Sequence, residues 1–233
     1  MYARTVGGRT LNFGVSGMLY RDALVMYDRE TGTLWTQVDG RAVRGPLLGQ
    51  ELQAFPSIHA TWAEWKSLYP DSVVLRKQGQ HRSAYEAYNR DQGRLGISGR
   101  RLKNAVMPPK ERILGLRYGG AALAVAVKDI RQAGIVEARV GGLPVVLAGL
   151  GAAMPIVAFE RGVAGRVLSF TRVEGADAVF DDVETRSRWS PADGLAIDGP
   201  LKGERLRRVT VYPAFWFGWF GYFPETAVWR PSR

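Results

Sequence analysis

Short runs in which apolar and polar residues alternate, each closed by glycine, set the pattern of this chain. Arg9 to Phe13, Leu24 to Tyr27 and Leu34-Trp35-Thr36-Gln37-Val38 alternate with the period of strands. Glu30-Thr31-Gly32 predicts a turn between the last two. Asp39-Gly40 is the strongest short hairpin signal in the chain, and Gly45-Pro46 breaks the strand that follows. From Ser57 to Tyr69 the period changes. Ile58, Trp62, Trp65 and Leu68 recur at helical spacing, and Pro70 stops the helix. Val73-Val74-Leu75 predicts a strand. Further on, Ile113 to Tyr118 and Ala122 to Val127 predict strands about Gly119-Gly120, with a helical turn at Lys128 to Gln132. Val136 to Val140 and Leu143 to Leu147 flank Gly141-Gly142, and Ile156 to Glu160 predicts another strand.

The pattern then repeats. At an offset of 154, Asp28-Arg29-Glu30-Thr31 falls on Asp182-Val183-Glu184-Thr185 and Trp35 on Trp189. The same offset sets Asp39-Gly40 on Asp193-Gly194 and Gly45-Pro46-Leu47 on Gly199-Pro200-Leu201. It also sets Trp62 and Trp65 on Trp216 and Trp219. Upstream the offset is 157, bringing Val6 onto Val163, Leu11 onto Leu168 and Phe13 onto Phe170, so the first copy holds three extra residues between Phe13 and Asp28. Two tryptophan pairs and a Gly-Pro-Leu do not share a register by chance, and such self-similarity marks one structural unit written twice. Met1 falls level with Ala158. The first copy thus lacks roughly 45–50 residues that the second has at its front. The fold class expected is mainly β, as two tandem copies of a strand-rich unit with one short helix each, the first incomplete. The boundaries read as a first repeat over 1–78, a linker over 79–112 and a second repeat over 113–233, all in one compact body.

An apolar fraction of 46% and 28 glycines suit an ordinary core built of short strands and tight turns. With no cysteine, disulfides and thiolate metal sites are excluded, and two histidines are too few for an ordinary histidine-based metal site. Nothing calls for a cofactor. Met1-Tyr2-Ala3-Arg4 does not begin a signal peptide. The longest apolar stretch, Tyr212 to Pro224, is about half of the ~20 residues a membrane span needs. The net charge is +10. Between Arg76 and Arg112 ten basic residues face three acids, so the linker carries most of the excess. Arg100, Arg101 and Lys103 are the candidate anion-binding residues there, with Tyr85 and Tyr88 interleaved as stacking platforms would be. A solvated, packed linker accounts for the same pattern, so nucleic acid is not the expected partner.

A duplicated chain supplies its own control. Residues kept in both copies serve the shared fold, and residues found in one are free for other work. By this test the paired tryptophans and the Gly-Pro-Leu turns are scaffold. Asp28/Asp182 and Glu30/Glu184 organise turns, since aspartate side chains bond nearby amides. Ser16, Tyr27, Arg29 and Gln37 belong to the first copy alone. With Asp28 they form a candidate pocket on neighbouring strands. Gly14-Val15-Ser16-Gly17 lacks the spacing and context of a nucleophile elbow, and no histidine is placed to serve as base, so no catalytic residue is assigned. In the second helix, Phe217 and Phe220 replace Ala63 and Lys66 of the first. That apolar surface calls for a cover: the first copy or a missing N-terminal segment before a partner or a membrane surface.

The first copy resembles a bacterial and archaeal family, domain of unknown function 3179. The resemblance lies in Gly14-Val15-Ser16-Gly17-Met18-Leu19-Tyr20, Met26-Tyr27-Asp28-Arg29-Glu30-Thr31-Gly32, Leu34-Trp35-Thr36-Gln37, Gly45-Pro46-Leu47-Leu48-Gly49 and Thr61-Trp62-Ala63-Glu64-Trp65. Pro108-Pro109-Lys110-Glu111-Arg112 is similar too. It implies no activity. It does imply a segment with a Cys-x-x-Cys-like motif upstream of the Met1 position; the equivalent stretch of the second copy, Ala148 to Ala153, has no cysteine. A fragment, a late start or a degenerate member is the expectation. The function expected is a non-catalytic binding or structural module of a larger or envelope-associated protein. The alternatives are an enzyme using Ser16, Tyr27, Asp28 and Gln37, and a binder of nucleic acid or an anionic surface using the linker.

Overall fold

Each alternating run forms a short antiparallel strand, and glycine sits at positive φ where the chain reverses, as at Gly32 and Gly40. The computed structural model describes residues 1–75, 85–91, 93–96, 106–151, 154–175 and 179–231. In chain order the strands begin with β1 (Thr5–Val6), β2 (Arg9–Thr10), β3 (Phe13–Tyr20), β4 (Ala23–Asp28), β5 (Leu34–Thr36) and β6 (Ala42–Arg44). Helices α1 (Trp62–Leu68) and α2 (Glu86–Arg90) follow, then β7 (Arg112–Tyr118), β8 (Ala121–Ala126), α3 (Val127–Ala133), β9 (Ile135–Val140), β10 (Leu143–Ala148) and β11 (Val157–Glu160). The chain continues through β12 (Gly162–Val163), β13 (Arg166–Val167), β14 (Phe170–Arg172), β15 (Phe180–Asp182), β16 (Arg188–Trp189) and β17 (Ala196–Asp198). It ends with β18 (Tyr212–Phe215), α4 (Trp216–Tyr222) and β19 (Ala227–Val228). The fold is mainly β.

Two compact units form, and they do not follow chain order. One joins Met1–Ser57 with Ala84–Glu111 and Ala214–Pro224; the other joins Ile58–Ser83 with Arg112–Pro213 and Glu225–Arg233. The boundaries expected at 78 and 112 assumed that each helix stays with its own strands. Instead α4 lies in the unit of the first repeat's sheet, and α1 in the unit of the second's.

In the first unit β1 and β2 form a hairpin and β3-β4-β5-β6 an antiparallel sheet. Leu11, Trp35, Ala42 and Leu52 make its core, joined by Phe13 and Met26. The Phe13 ring meets Trp35 edge-on at 5.9 Å between centroids. The hairpin between β3 and β4 turns on Arg21 and Asp22, both at positive φ. Their backbone conformation is the one a two-residue hairpin needs, but no glycine announces it. Arg21 has a second role: its guanidinium donates to the Gly221 and Tyr222 carbonyls at 3.2 and 3.3 Å. It thereby caps the C-terminal end of α4, where a cation is favoured.

In the second unit β14-β15-β16-β17 repeats the strand order of β3-β4-β5-β6. Here Leu168, Phe170, Phe180, Trp189, Ala196 and Leu206 are joined by Val146, Ala148, Leu150 and Val157 from the front of the repeat. Those front strands form the sheet β11-β10-β9, while β7 and β8 pair antiparallel and β19 adds to β8 in parallel. Helix α1 is tied down in this unit. Glu64 forms an ion pair with Arg131 of α3 at 2.7 Å, and Arg131 also donates to the Gly151 and Met154 carbonyls. Neither partner was singled out by the sequence, because nothing in the repeat links a residue of one copy to one of the other.

The registers keep the sequence offsets. Val6 pairs with Arg9 as Val163 pairs with Arg166, and Phe13 with Asp28 as Phe170 with Asp182. The isolated bridge Tyr2 to Ala54 matches Phe159 to Arg208. The three extra residues of the first repeat lie in the β3–β4 hairpin, whose pairing shifts register between Val15 and Leu19 around Gly17 at positive φ.

Two elements depart from expectation. The helix expected over Ser57 to Tyr69 spans only Trp62–Leu68, because Thr61 and Glu64 close a capping box. The strand expected at Val73 to Leu75 does not form, although β19 does at the matching positions of the second repeat. Strand β19 is held by pairing in parallel with β8, and no strand of the described residues is laid beside Val73 to Leu75.

Candidate functional site

Asp28 ends β4 and points into the core beneath Trp35. Its Oδ2 accepts from the Trp35 indole nitrogen at 2.8 Å, and its Oδ1 accepts from the Thr31 amide at 2.6 Å and the Thr31 hydroxyl at 2.8 Å. Asp182 does the same in the second repeat. Its Oδ2 accepts from Trp189 at 2.9 Å and from the Ser187 amide at 3.1 Å, and its Oδ1 from the Thr185 amide and hydroxyl. Both carboxylates are fully buried. Behind each sits a second acid: Glu30 accepts from the Asn12 amide and side chain, and Glu184 from the Ser169 amide. Each Asp-x-Glu-Thr turn is thus a latch that satisfies the donors of a buried tryptophan and of its own backbone.

Burial acts to raise the Asp28 pKa, and the hydrogen bonds from Trp35 and Thr31 outweigh it, so the pKa lies below the ordinary 3.8. The folded state therefore binds this proton less tightly than the unfolded chain. The stability Asp28 contributes is present above the unfolded value near 3.9 and is lost as pH falls through the folded one. Urea titrations should show Asp28→Asn flattening the fall in stability below about pH 4 relative to the parent; an unchanged acid limb would contradict the assignment.

The residues peculiar to the first repeat do not converge. Tyr27 neighbours Asp28 on β4 and so faces the opposite side of the sheet. Its ring covers Gly14, where a Cβ would come within 2.7 Å of the ring atoms. The Arg29 guanidinium stands 5.6 Å from the centroid of that ring. The Ser16 hydroxyl donates to the Val25 carbonyl at 2.6 Å and accepts the Met18 amide at 3.1 Å, holding the register shift of β3. Gln37 lies exposed in the turn after β5, where its carbonyl accepts from the Tyr2 hydroxyl. The pocket sought from Ser16, Tyr27, Asp28, Arg29 and Gln37 is therefore divided between the two faces and a turn. Ser16, Tyr27 and Asp28 do lie on adjacent strands, but Arg29 and Gln37 fall in turns, and the sequence could not give each residue its face.

In the linker, Lys110 is buried and donates to the Tyr88 and Asp91 carbonyls, its ammonium 3.7 Å from the Tyr88 ring centroid. The Tyr88 hydroxyl accepts the Gly96 amide at 3.0 Å, so Tyr88 is packed within its own unit. Arg100, Arg101 and Lys103 lie outside the described residues. Among the described residues no group of three His, Cys, Asp or Glu is placed to hold a metal, and no helix is long and apolar enough to cross a membrane.

Helix α4 rests against the first repeat's β3–β4 hairpin. The Tyr222 hydroxyl donates to the Tyr20 carbonyl at 2.8 Å, and the two rings meet edge-on. Burial pushes the Tyr222 phenol well above its usual pKa. Trp216 and Trp219 are buried. Phe217 and Phe220 are half-buried, Phe217 stacked on Phe215 and Phe220 tilted against Trp216. The Trp216 and Phe217 amides donate to the Glu111 and Pro109 carbonyls at 2.9 Å, fixing the start of α4 to the segment that enters β7.

No curated protein and no solved structure matches the chain. A match to the family described as "Protein of unknown function (DUF3179)" runs over residues 1–226 of the 233, and the chain belongs to that family.

Proposed function

We propose that this chain is a non-catalytic binding or structural module of a larger protein, built from two copies of one β unit of which the first is incomplete. One observation carries the reading. The buried aspartates that are the best acid/base candidates take the same bonds at matching positions of both repeats. A group committed to the same turn closure in both repeats is serving the fold, and catalysis would need it open to a reactant. The first repeat's own polar residues lend no second argument for chemistry, since they split between faces. What the first repeat does leave open is apolar. Val15, Met18 and Leu19 are exposed along β3, an edge strand of its sheet, ahead of Tyr20, which meets α4. In the second repeat the matching edge is covered: the Phe170 amide donates to Glu137 of β9 at 2.6 Å. An uncovered edge with apolar side chains is a surface for strand addition.

The test has two arms. Purified chain is assayed against ester, phosphate, glycoside and peptide substrates, and no turnover is expected that depends on the proposed pocket. Turnover abolished by both Ser16→Ala and Tyr27→Phe, at unchanged melting temperature, would overturn the reading. In the second arm, Met18→Lys with Leu19→Lys should lower binding of a hydrophobic dye while the melting temperature holds. Dye binding that ignores both lysines would place the apolar surface elsewhere.

A further inference from the structure

Val73, Val74 and Leu75 are 95%, 66% and 89% exposed, as three consecutive large apolar residues outside any strand or helix. Trp62 is 48% exposed, whereas its counterpart at the 154-residue offset, Trp216, is 1% exposed. The matching positions of the second repeat are held by other segments. In the second repeat, Ala227 and Val228 pair in parallel with Leu123 and Ala124 of β8, and the Trp229 amide donates to the Ala124 carbonyl at 2.9 Å. The start of α4, with Trp216, is fixed by the Glu111 carbonyl just before β7. Both supports come from the front of the second repeat, residues 108–126, and the first repeat has no such front among residues 1–233.

We infer that Trp62 and Val73–Leu75 form an acceptor site for an apolar β-hairpin of the β7–β8 kind, whose second strand adds in parallel to Val73-Val74. This rests on the reading that the first repeat is incomplete. The occupant is an apolar β-hairpin like β7–β8, because at the 154-residue offset Val73-Val74 stands where Ala227-Val228 pairs with β8. Its chemistry follows from β8, Ala-Ala-Leu-Ala-Val-Ala, whose small and branched residues are buried along one half. The Leu75 amide, at the position of Trp229, is the donor that the added strand would take up. Three exposed apolar residues in a row, with alternating backbone donors and acceptors, are otherwise an edge open to aggregation.

The experiment compares the chain as given with one carrying a second copy of residues Pro108–Val157 fused directly ahead of Met1. Hydrogen exchange is followed by mass spectrometry over Val73–Leu75, with quenching of Trp62 fluorescence measured against a Trp62→Phe control. The fusion should slow exchange at these amides about tenfold or more and shield Trp62. Leu75→Pro should abolish the protection in the fusion and change nothing in the parent. A synthetic hairpin of residues 112–127, added in trans, gives the same readout should the fusion misfold. Protection by neither probe overturns the inference. So does protection in the parent that rises with protein concentration, which would make a second copy the occupant. Neither failure touches the non-catalytic reading, which is judged by turnover.

Discussion

Asp182→Ala should cost about 3 kcal/mol, because it strands the Trp189 indole nitrogen and the Ser187 and Thr185 amides in a buried setting. Asp28→Ala should cost a similar amount through Trp35 and Thr31. The asparagine variants keep the shape but offer one acceptor oxygen where the latch uses two, so they should fall between parent and alanine. The indole is the decisive partner. In a double-mutant cycle, Trp189→Phe should remove much of the penalty of Asp182→Asn, since the donor that suffers is gone. Chemical denaturation measures all four. Additive effects would show that the carboxylate and the indole do not share a bond.

The second large effect concerns a glycine pair that the repeat predicts to be equivalent. Gly45 and Gly199 hold φ of +110° and +88°, and a Cβ on either would come within 2.7 and 2.6 Å of the Thr33 and Ser187 Cα atoms. Backbone atoms cannot swing aside as a side-chain tip can. Left-handed strain and the clash together should make Gly45→Ala and Gly199→Ala each cost about 2–4 kcal/mol. Gly49→Ala and Gly203→Ala make a control, for they also have positive φ but nothing within 4 Å. They should cost only the conformational part, about 1–2 kcal/mol. Equal losses at all four would remove the close approach from the explanation.

The residues that were legible are those whose role is local or doubled. The hairpin at Asp39-Gly40, the turn at Gly32 and the paired tryptophans follow from short-range patterns, and the aspartates could be read as turn formers because each occurs twice. The family could be read from the same motifs. What was not legible depends on pairing between distant segments. Val73 to Leu75 has strand composition, but a strand exists only where another is laid beside it, and none of the described residues pairs with it. Arg21 and Asp22 turn a hairpin without glycine, held by bonds to α4 two hundred residues away. The Glu64–Arg131 pair, and with it the place of α1, gave no periodic signal at all. Face assignment failed for the pocket for a related reason. Strand adjacency brings Tyr27 and Asp28 together in sequence and sends them to opposite sides.

The central claim is that Asp28 and Asp182 are twin structural latches, each holding the indole of its own repeat. Indole hydrogen exchange, read by nuclear magnetic resonance on chain carrying nitrogen-15 tryptophan, tests it directly. The Trp35 and Trp189 indole protons should exchange far more slowly than that of the half-exposed Trp62. Asp28→Asn should speed exchange at Trp35 alone, and Asp182→Asn at Trp189 alone. Fast exchange at either indole in the parent, or a substitution that leaves its own indole protected, would contradict the account.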